Sequence, residues 1–204
     1  NEEYSNVDAF MVGPETADAA LQVQMMEDLI AQGVDAIVVV PISVETLEPV
    51  CQKARDAGIV VISHEAAGMS GVDFDVEAFD NAAYGAYMMD NLAAAMGEEG
   101  QYATFVGYLT SKSHIEWMDA AVARQQEAYP NMTLLEAEPR VESHDNGDTA
   151  YNVAKELFKK YPDLKGIMGT SSFDAPGVAR AIEELGLQGK VFTAGTGMPG
   201  DNAE

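Results

Sequence analysis

Gly33-Val34-Asp35-Ala36-Ile37-Val38-Val39-Val40-Pro41 and, further on, Gly58-Ile59-Val60-Val61-Ile62-Ser63-His64-Glu65 decide how this chain is read. Each is a short apolar run, rich in β-branched residues and bounded by turn formers. Such runs mark strands buried on both faces, as in parallel sheets. Between them Ser43 caps a helix over 44–57, with Glu45 in its first turn, where a carboxylate meets the positive end of the helix dipole. Gly58 ends that helix. Strand, helix and strand with tight connections make a parallel unit.

The rhythm extends in both directions. Residues 7–12 read as a strand closed by Gly13-Pro14. Residues 15–32 read as a helix opened by Thr16 or Asp18, with Leu21, Met25 and Leu29 on one face and Gly33 at its end. Beyond Glu65, strands are expected at 72–76, 102–106, 133–137, 166–168 and 191–193. Helices are expected at 80–96, 113–128, 148–160 and 175–185, the first carrying Tyr84, Met88, Leu92 and Met96 as a stripe. The pattern predicts an α/β fold with parallel sheets and helices on both faces. It falls into two halves, 1–100 and 101–204, with Gly97-Glu98-Glu99-Gly100 as the joint.

Composition excludes several classes. Across 204 residues, 11 Lys and Arg face 34 Asp and Glu, a formal charge of −23. That charge opposes nucleic-acid binding, which selects basic surfaces, and docking on anionic membranes. An acidic exported protein and a source living in high salt, where screening tolerates dense carboxylates, both account for it. No apolar run approaches the ~20 residues a membrane helix needs. The lone Cys51 leaves no intrachain disulfide and no cysteine zinc cluster. The first residues carry neither an initiating Met nor a leader pattern. The expectation is a piece of a longer chain, truncated at both ends.

In open parallel sheets, ligands bind beyond the carboxyl ends of the strands. The residues there are Ser63, His64 and Glu65; Asp80 and Asn81; Thr110 to His114; Asp145 and Asn146; and Thr170, Ser171 and Ser172. Hydroxyls, amides, a few carboxylates and imidazoles suit a neutral polyhydroxylated ligand better than covalent or redox chemistry. No Gly-x-Ser-x-Gly elbow, Walker A loop or early Gly-x-Gly-x-x-Gly is present. Neither an enzyme nor a cofactor is therefore expected.

His64, His114 and His144 could converge on a metal with Glu65, but no helical His spacing supports it, and no metal is expected. Asp145-Asn146-Gly147-Asp148 hints at a calcium loop and fits a turn with a helix cap better. Glu65 reads either as an acceptor for two sugar hydroxyls or as a solvated loop carboxylate. Ser113 and His114 read as ligand contacts or as simple helix capping. Trp117, one turn on, reads as a stacking platform or as core.

Certain runs resemble a known family. Gly13-Pro14-Glu15-Thr16, Gln22-Val23-Gln24, Gly33-Val34-Asp35-Ala36-Ile37 and Ala57-Gly58-Ile59-Val60-Val61-Ile62 with a following acid are similar to type I periplasmic sugar-binding proteins of ABC importers. So is Tyr161-Pro162-Asp163-Leu164-Lys165-Gly166-Ile167-Met168. Ala194-Gly195-Thr196-Gly197-Met198-Pro199 resembles the rhamnose and autoinducer-2 branch.

The resemblance implies two Rossmann-like lobes joined by a hinge, closing on a sugar. The N-terminal lobe (1–100) would lack its first strand-helix unit. The C-terminal lobe (101–204) would carry the return crossover near its end. Ligand contacts would come from His64, Glu65, Ser113, His114, Trp117, Asp145, Ser171 and Ser172. Glu65 falls where the family has an acidic residue, usually Asp. The autoinducer-2 proteins place Asp-Gln at Ser113-His114 and Pro-Asp-Ala near Thr170–Ser172, so a pentose, deoxyhexose or related polyol is expected as readily.

The implied protein is an exported monomer, periplasmic or anchored at the cell surface. It would deliver a small neutral sugar or polyol to an ABC permease, without nucleic acid or direct membrane insertion. The alternative is a ligand-sensing domain of a receptor or of a sugar-responsive transcriptional regulator. A sugar-converting α/β enzyme ranks last.

Overall fold

The structure, a computed structural model, describes residues 4–135 and 140–197. The chain divides into two compact units, Asn1–Val76 and Glu77–Glu204. The sequence pattern places the joint at Gly97–Gly100. The helix ahead of that joint packs with the second unit, because its apolar stripe meets elements that come later in the chain.

The first unit holds α1 (Ala19–Gln32), β1 (Ala36–Val39), α2 (Val44–Asp56), β2 (Val60–His64) and β3 (Phe74–Val76). The three strands are parallel in the order β1-β2-β3. Asp18 caps α1 by accepting the Leu21 N–H, and Gly33 closes it in the left-handed conformation. The packed face of α1 is Val23, Met26, Leu29 and Ile30, so of the expected stripe Leu29 meets the core while Leu21 is exposed. With Ile37, Val39, Val61 and Leu47 these residues form a one-sided core.

Two expectations fail in this unit. Residues 7–12 form no strand, and Phe10, Met11 and Val12 are exposed. Apolar alternation makes a strand only where a neighbour offers a ladder, and among the described residues none does. Nor is β1 buried on both faces. Its burial alternates, with Ile37 4% and Val38 70% exposed, and Phe74 on β3 is 64% exposed. Helices α1 and α2 cover one face, and no described element covers the other.

The second unit carries α3 (Asn81–Met96), β4 (Gly100–Val106), α4 (Lys112–Ala128), β5 (Met132–Leu134), β6 (Val141–Glu142), α5 (Gly147–Lys160), β7 (Leu164–Gly169), α6 (Asp174–Glu184) and β8 (Phe192–Gly195). Strands run β5-β4-β7-β8, with β6 also on β4, all parallel. Here helices do lie on both faces. Met89, Leu92, Trp117 and Met118 of α3 and α4 pack with Tyr102 and Met168. Ala154, Leu157, Val178 and Ile182 of α5 and α6 pack with Phe105 and Ile167.

Smaller differences from the sequence reading have local causes. The expected strand at 133–137 is shorter, and its last residues lie outside the described ones, as does the crossover expected near the chain end. Strand β6 is too short for periodicity to reveal. Helix α4 opens at Lys112 behind Ser111, so Ser113 lies inside the helix, 3% exposed, rather than at its cap.

Candidate functional site

The chemistry-bearing side chains collect where parallel strands end, in each unit separately. At the exit of β1, the Gln22 side-chain amide donates to Val40 O at 2.9 Å and accepts from Ile42 N at 2.9 Å. A side chain of α1 thereby satisfies the backbone where the ladder stops. At the exit of β2, buried Ser63 donates to Asp75 Oδ1 at 2.6 Å. His64 Nδ1 lies 2.5 Å from Val76 O, and its Nε2 lies 3.8 Å from Glu65 Oε1. Both side chains keep about a third of their surface open, 37% and 32%. Glu65 sits at φ 57, a left-handed conformation that costs a non-glycine residue roughly 1–2 kcal/mol. The ring is thus held by the neighbouring strand, and the carboxylate stands at the tip of the turn, about a third exposed.

Behind this turn, Asp73 holds β3 to β2. It accepts from Val61 N and Arg55 Nε, each at 2.9 Å. The Val61 N–H foremost, and then Arg55, keep its carboxyl below the usual carboxylate range. That pairing is scaffold, not site.

In the second unit, the exits of β4, β6 and β7 bring His114, Asp145, Ser171 and Ser172 to one end of the sheet. His114 Nδ1 accepts from Gly107 N at 3.2 Å, and its ring stands 5.5 Å from that of Trp117. Asp145 follows His144, both left-handed at φ 49 and 55. A side chain at Gly107 would lie 2.1 Å from Asp145 Oδ1 and 2.9 Å from His114 Cε1. Glycine at this point is what allows the carboxylate and the imidazole to close over the end of β4. Asn146 then caps α5, accepting from Asp148 N at 3.0 Å and Thr149 N at 2.9 Å. The segment 145–148 is accordingly a turn and a cap.

Ser171 is 2% exposed and Ser172 half-buried. The Ser171 N–H donates to Asp174 Oδ2 at 2.9 Å, and its Oγ accepts from Phe173 N at 3.3 Å. The half-buried Tyr108 donates its hydroxyl to His144 O at 3.2 Å, and Phe173 is exposed, so both loop aromatics lie at this end of the sheet. Trp117 is placed differently. It is 3% exposed, its indole donates to Asn81 Oδ1 at 2.7 Å, and its ring meets Tyr84 edge-on at 5.1 Å. Its faces belong to the core of the second unit.

Sequence reasoning missed the roles of Gln22 and Asp174, and it placed Asn81 at a strand exit without its tie to Trp117. Asn81 also donates to Glu116 Oε2 at 2.9 Å. No local pattern distinguishes such residues from ordinary helix-terminal polar ones, because their partners lie far along the chain. Among the described residues no group of three or more His, Cys, Asp or Glu is placed to hold a metal. No described helix is long and apolar enough to cross a membrane.

The periplasmic binding protein domain family matches residues 1–204, and the chain belongs to that family. It is 27% identical over 180 residues to a xylitol-binding protein of Mycolicibacterium smegmatis, covering 84% of this chain and 48% of that protein. To a D-ribose/D-allose-binding protein of Pseudomonas aeruginosa it is 26% identical over 186 residues, 87% of this chain and 56% of the relative. The chain therefore spans about half the length of these relatives. The fold matches the solved structure of an ABC transporter solute-binding protein from Clostridium phytofermentas with bound L-rhamnose. That match has a TM-score of 0.87 at 23% identity over 94% of this chain and 60% of that one. Family membership makes this a binding domain rather than an enzyme.

Proposed function

We propose that this protein is the substrate-binding component of an ABC importer, and that it captures a small neutral sugar or polyol and passes it to a permease. The observation that carries the reading is the set of groups at the strand exits. The first unit presents the His64 imidazole and the Glu65 carboxylate; the second presents His114, Asp145, Ser171 and Ser172. These are paired donors and acceptors for vicinal hydroxyls, without a nucleophile-base pair.

The relatives named for xylitol and for D-ribose and D-allose, together with the L-rhamnose-bound structure, support a polyol as the ligand class. In this reading the protein works as a monomer, exported to the periplasm or held at the cell surface, where its acidity is no obstacle.

A thermal-shift screen with xylitol, D-ribose, D-allose and L-rhamnose tests it. A ligand at one hundred times its Kd stabilises the folded state by about 2.7 kcal/mol. One of the four raising the melt, with Glu65→Ala abolishing the rise, supports the assignment. No shift with any of them removes the polyol reading.

A further inference from the structure

Asp174 is the first residue of α6, and it is fully buried at 0% exposure. An Asp in a helix first turn ordinarily lies in water, where it favours the dipole at no desolvation cost. This one lies against the end of β7, where a side chain on Gly169 would meet its Cβ at 2.2 Å. Glycine there is what admits it.

Its partners come from two elements. From its own turn, Ser171 N–H donates to Oδ2 at 2.9 Å, and the Thr170 backbone also favours the anion. From the loop between β6 and α5, the single Ser143 proton is shared with the Val106 carbonyl, 3.4 Å from Ser143 Oγ. The charged group facing it from that loop is Asp145, whose repulsion opposes the anion. Oδ1 is buried without a hydrogen-bond partner of its own.

A half-satisfied buried carboxylate is destabilising compared with a neutral residue of the same shape. Capping α6 does not require it, since an exposed Asp or Ser would serve. What it does reach is the pair of segments that carry Ser171, Ser172 and Asp145.

We propose that Asp174 is a positioning residue for ligand binding: its buried carboxylate ties the Ser171–Ser172 turn to the Ser143–Asp145 loop in the arrangement that receives a polyol. This rests on the function proposed above. Burial foremost pushes its carboxyl up to about 6, so the tie weakens in mild acid. If only the ionised form binds, the apparent Kd rises as the ionised fraction falls, about tenfold between pH 7.5 and pH 5.

The test is the Kd of the intact chain for xylitol, D-allose and L-rhamnose at both pH values, in the wild type and in Asp174→Asn, alongside the Ser171 amide resonance followed from pH 5 to 8. Expected are a roughly tenfold pH effect in the wild type and a Ser171 amide that titrates near pH 6. Asp174→Asn, which mimics the protonated form, shows no detectable binding at pH 7.5 or pH 5 and loses both responses. Ser143→Ala, which removes one donor, moves the midpoint of the Kd profile to higher pH, a change in binding that a purely structural role would not produce. Wild-type affinity and pH profile in Asp174→Asn overturn the inference, as does a Ser171 amide that does not titrate. If the amide titrates in the wild type but not in Asp174→Asn while no sugar binds, the tie from Asp174 to the Ser171 turn stands, and the polyol reading falls together with the role in binding it.

Discussion

Replacing Gly85 by Ala sets two effects of known size against each other. Gly85 lies inside α3, where Ala is the better helix former by about 1 kcal/mol. In an exposed helix the substitution would stabilise. Here the new methyl would lie 2.1 Å from the Trp117 carbonyl oxygen and 2.9 Å from Ala120 Cβ, both on α4. Ordinary contact needs about 3.5 Å, so the shortfall exceeds roughly 1 Å.

The obstacle is backbone, which cannot rotate away, so α3 and α4 must part. Parting them loosens Met89, Leu92, Trp117 and Met118, all 3% exposed or less. Overpacking of this kind costs about 1–3 kcal/mol and more when backbone is displaced. The net loss is about 1–2 kcal/mol, a fall of about 4–8 °C in Tm for a unit of this size. Trp117 is the sole tryptophan and sits at this interface, so indole fluorescence during thermal unfolding reads the loss directly. An unchanged or raised Tm would refute the close approach of the two helices and with it the packing of the second unit.

Other consequences follow from single residues. The Asp174 pKa is raised from 3.8 to about 6, so the folded state holds its proton where the unfolded chain has lost it. Stability is therefore greatest below about pH 4 as far as this group is concerned, and up to about 3 kcal/mol is lost as pH rises through 6. Asp174→Asn flattens that slope in denaturant titrations at pH 4 and 7. Cys51 is buried, and burial foremost, with Glu48 adding to it, pushes its thiol up to about 11. Iodoacetamide therefore labels it only as the first unit opens, and rapid labelling of the native protein would contradict the core drawn around α2. Asn146→Ala removes the acceptor for two α5 N–H groups and costs about 1 kcal/mol in denaturant unfolding.

Much of the fold was legible because its signals are local. Gly33 and Gly97 end helices in the left-handed conformation, Asp18 and Asn146 supply caps, and the β-branched runs at 36–40 and 59–62 contain β1 and most of β2. What failed depends on neighbours the sequence does not display. Residues 7–12 alternate like a strand, but a ladder needs a partner. Val38 and Phe74 belong to apolar runs, but whether a helix covers them is a property of the whole layer. The site was legible as a list of strand exits, and His114, Asp145 and Ser171 do gather at one end of the second sheet. Trp117 went to the core because Asn81, distant in sequence, takes its N–H. Asp174 escaped notice because its burial is set by Gly169 and Ser143, which no helical or strand period connects to it.

The central claim is that a polyol is held at these strand exits, and amide-resolved NMR titration of the chain with xylitol, D-allose, D-ribose and L-rhamnose tests it most directly. The account predicts saturable shifts for one of these ligands at His114, Asp145, Ser171 and Ser172, with Lys155 and Glu184 on the outer helices unmoved. Shifts absent at the strand exits, or confined to the groove of Tyr87, Pro176 and Ala179 along β8, would contradict it.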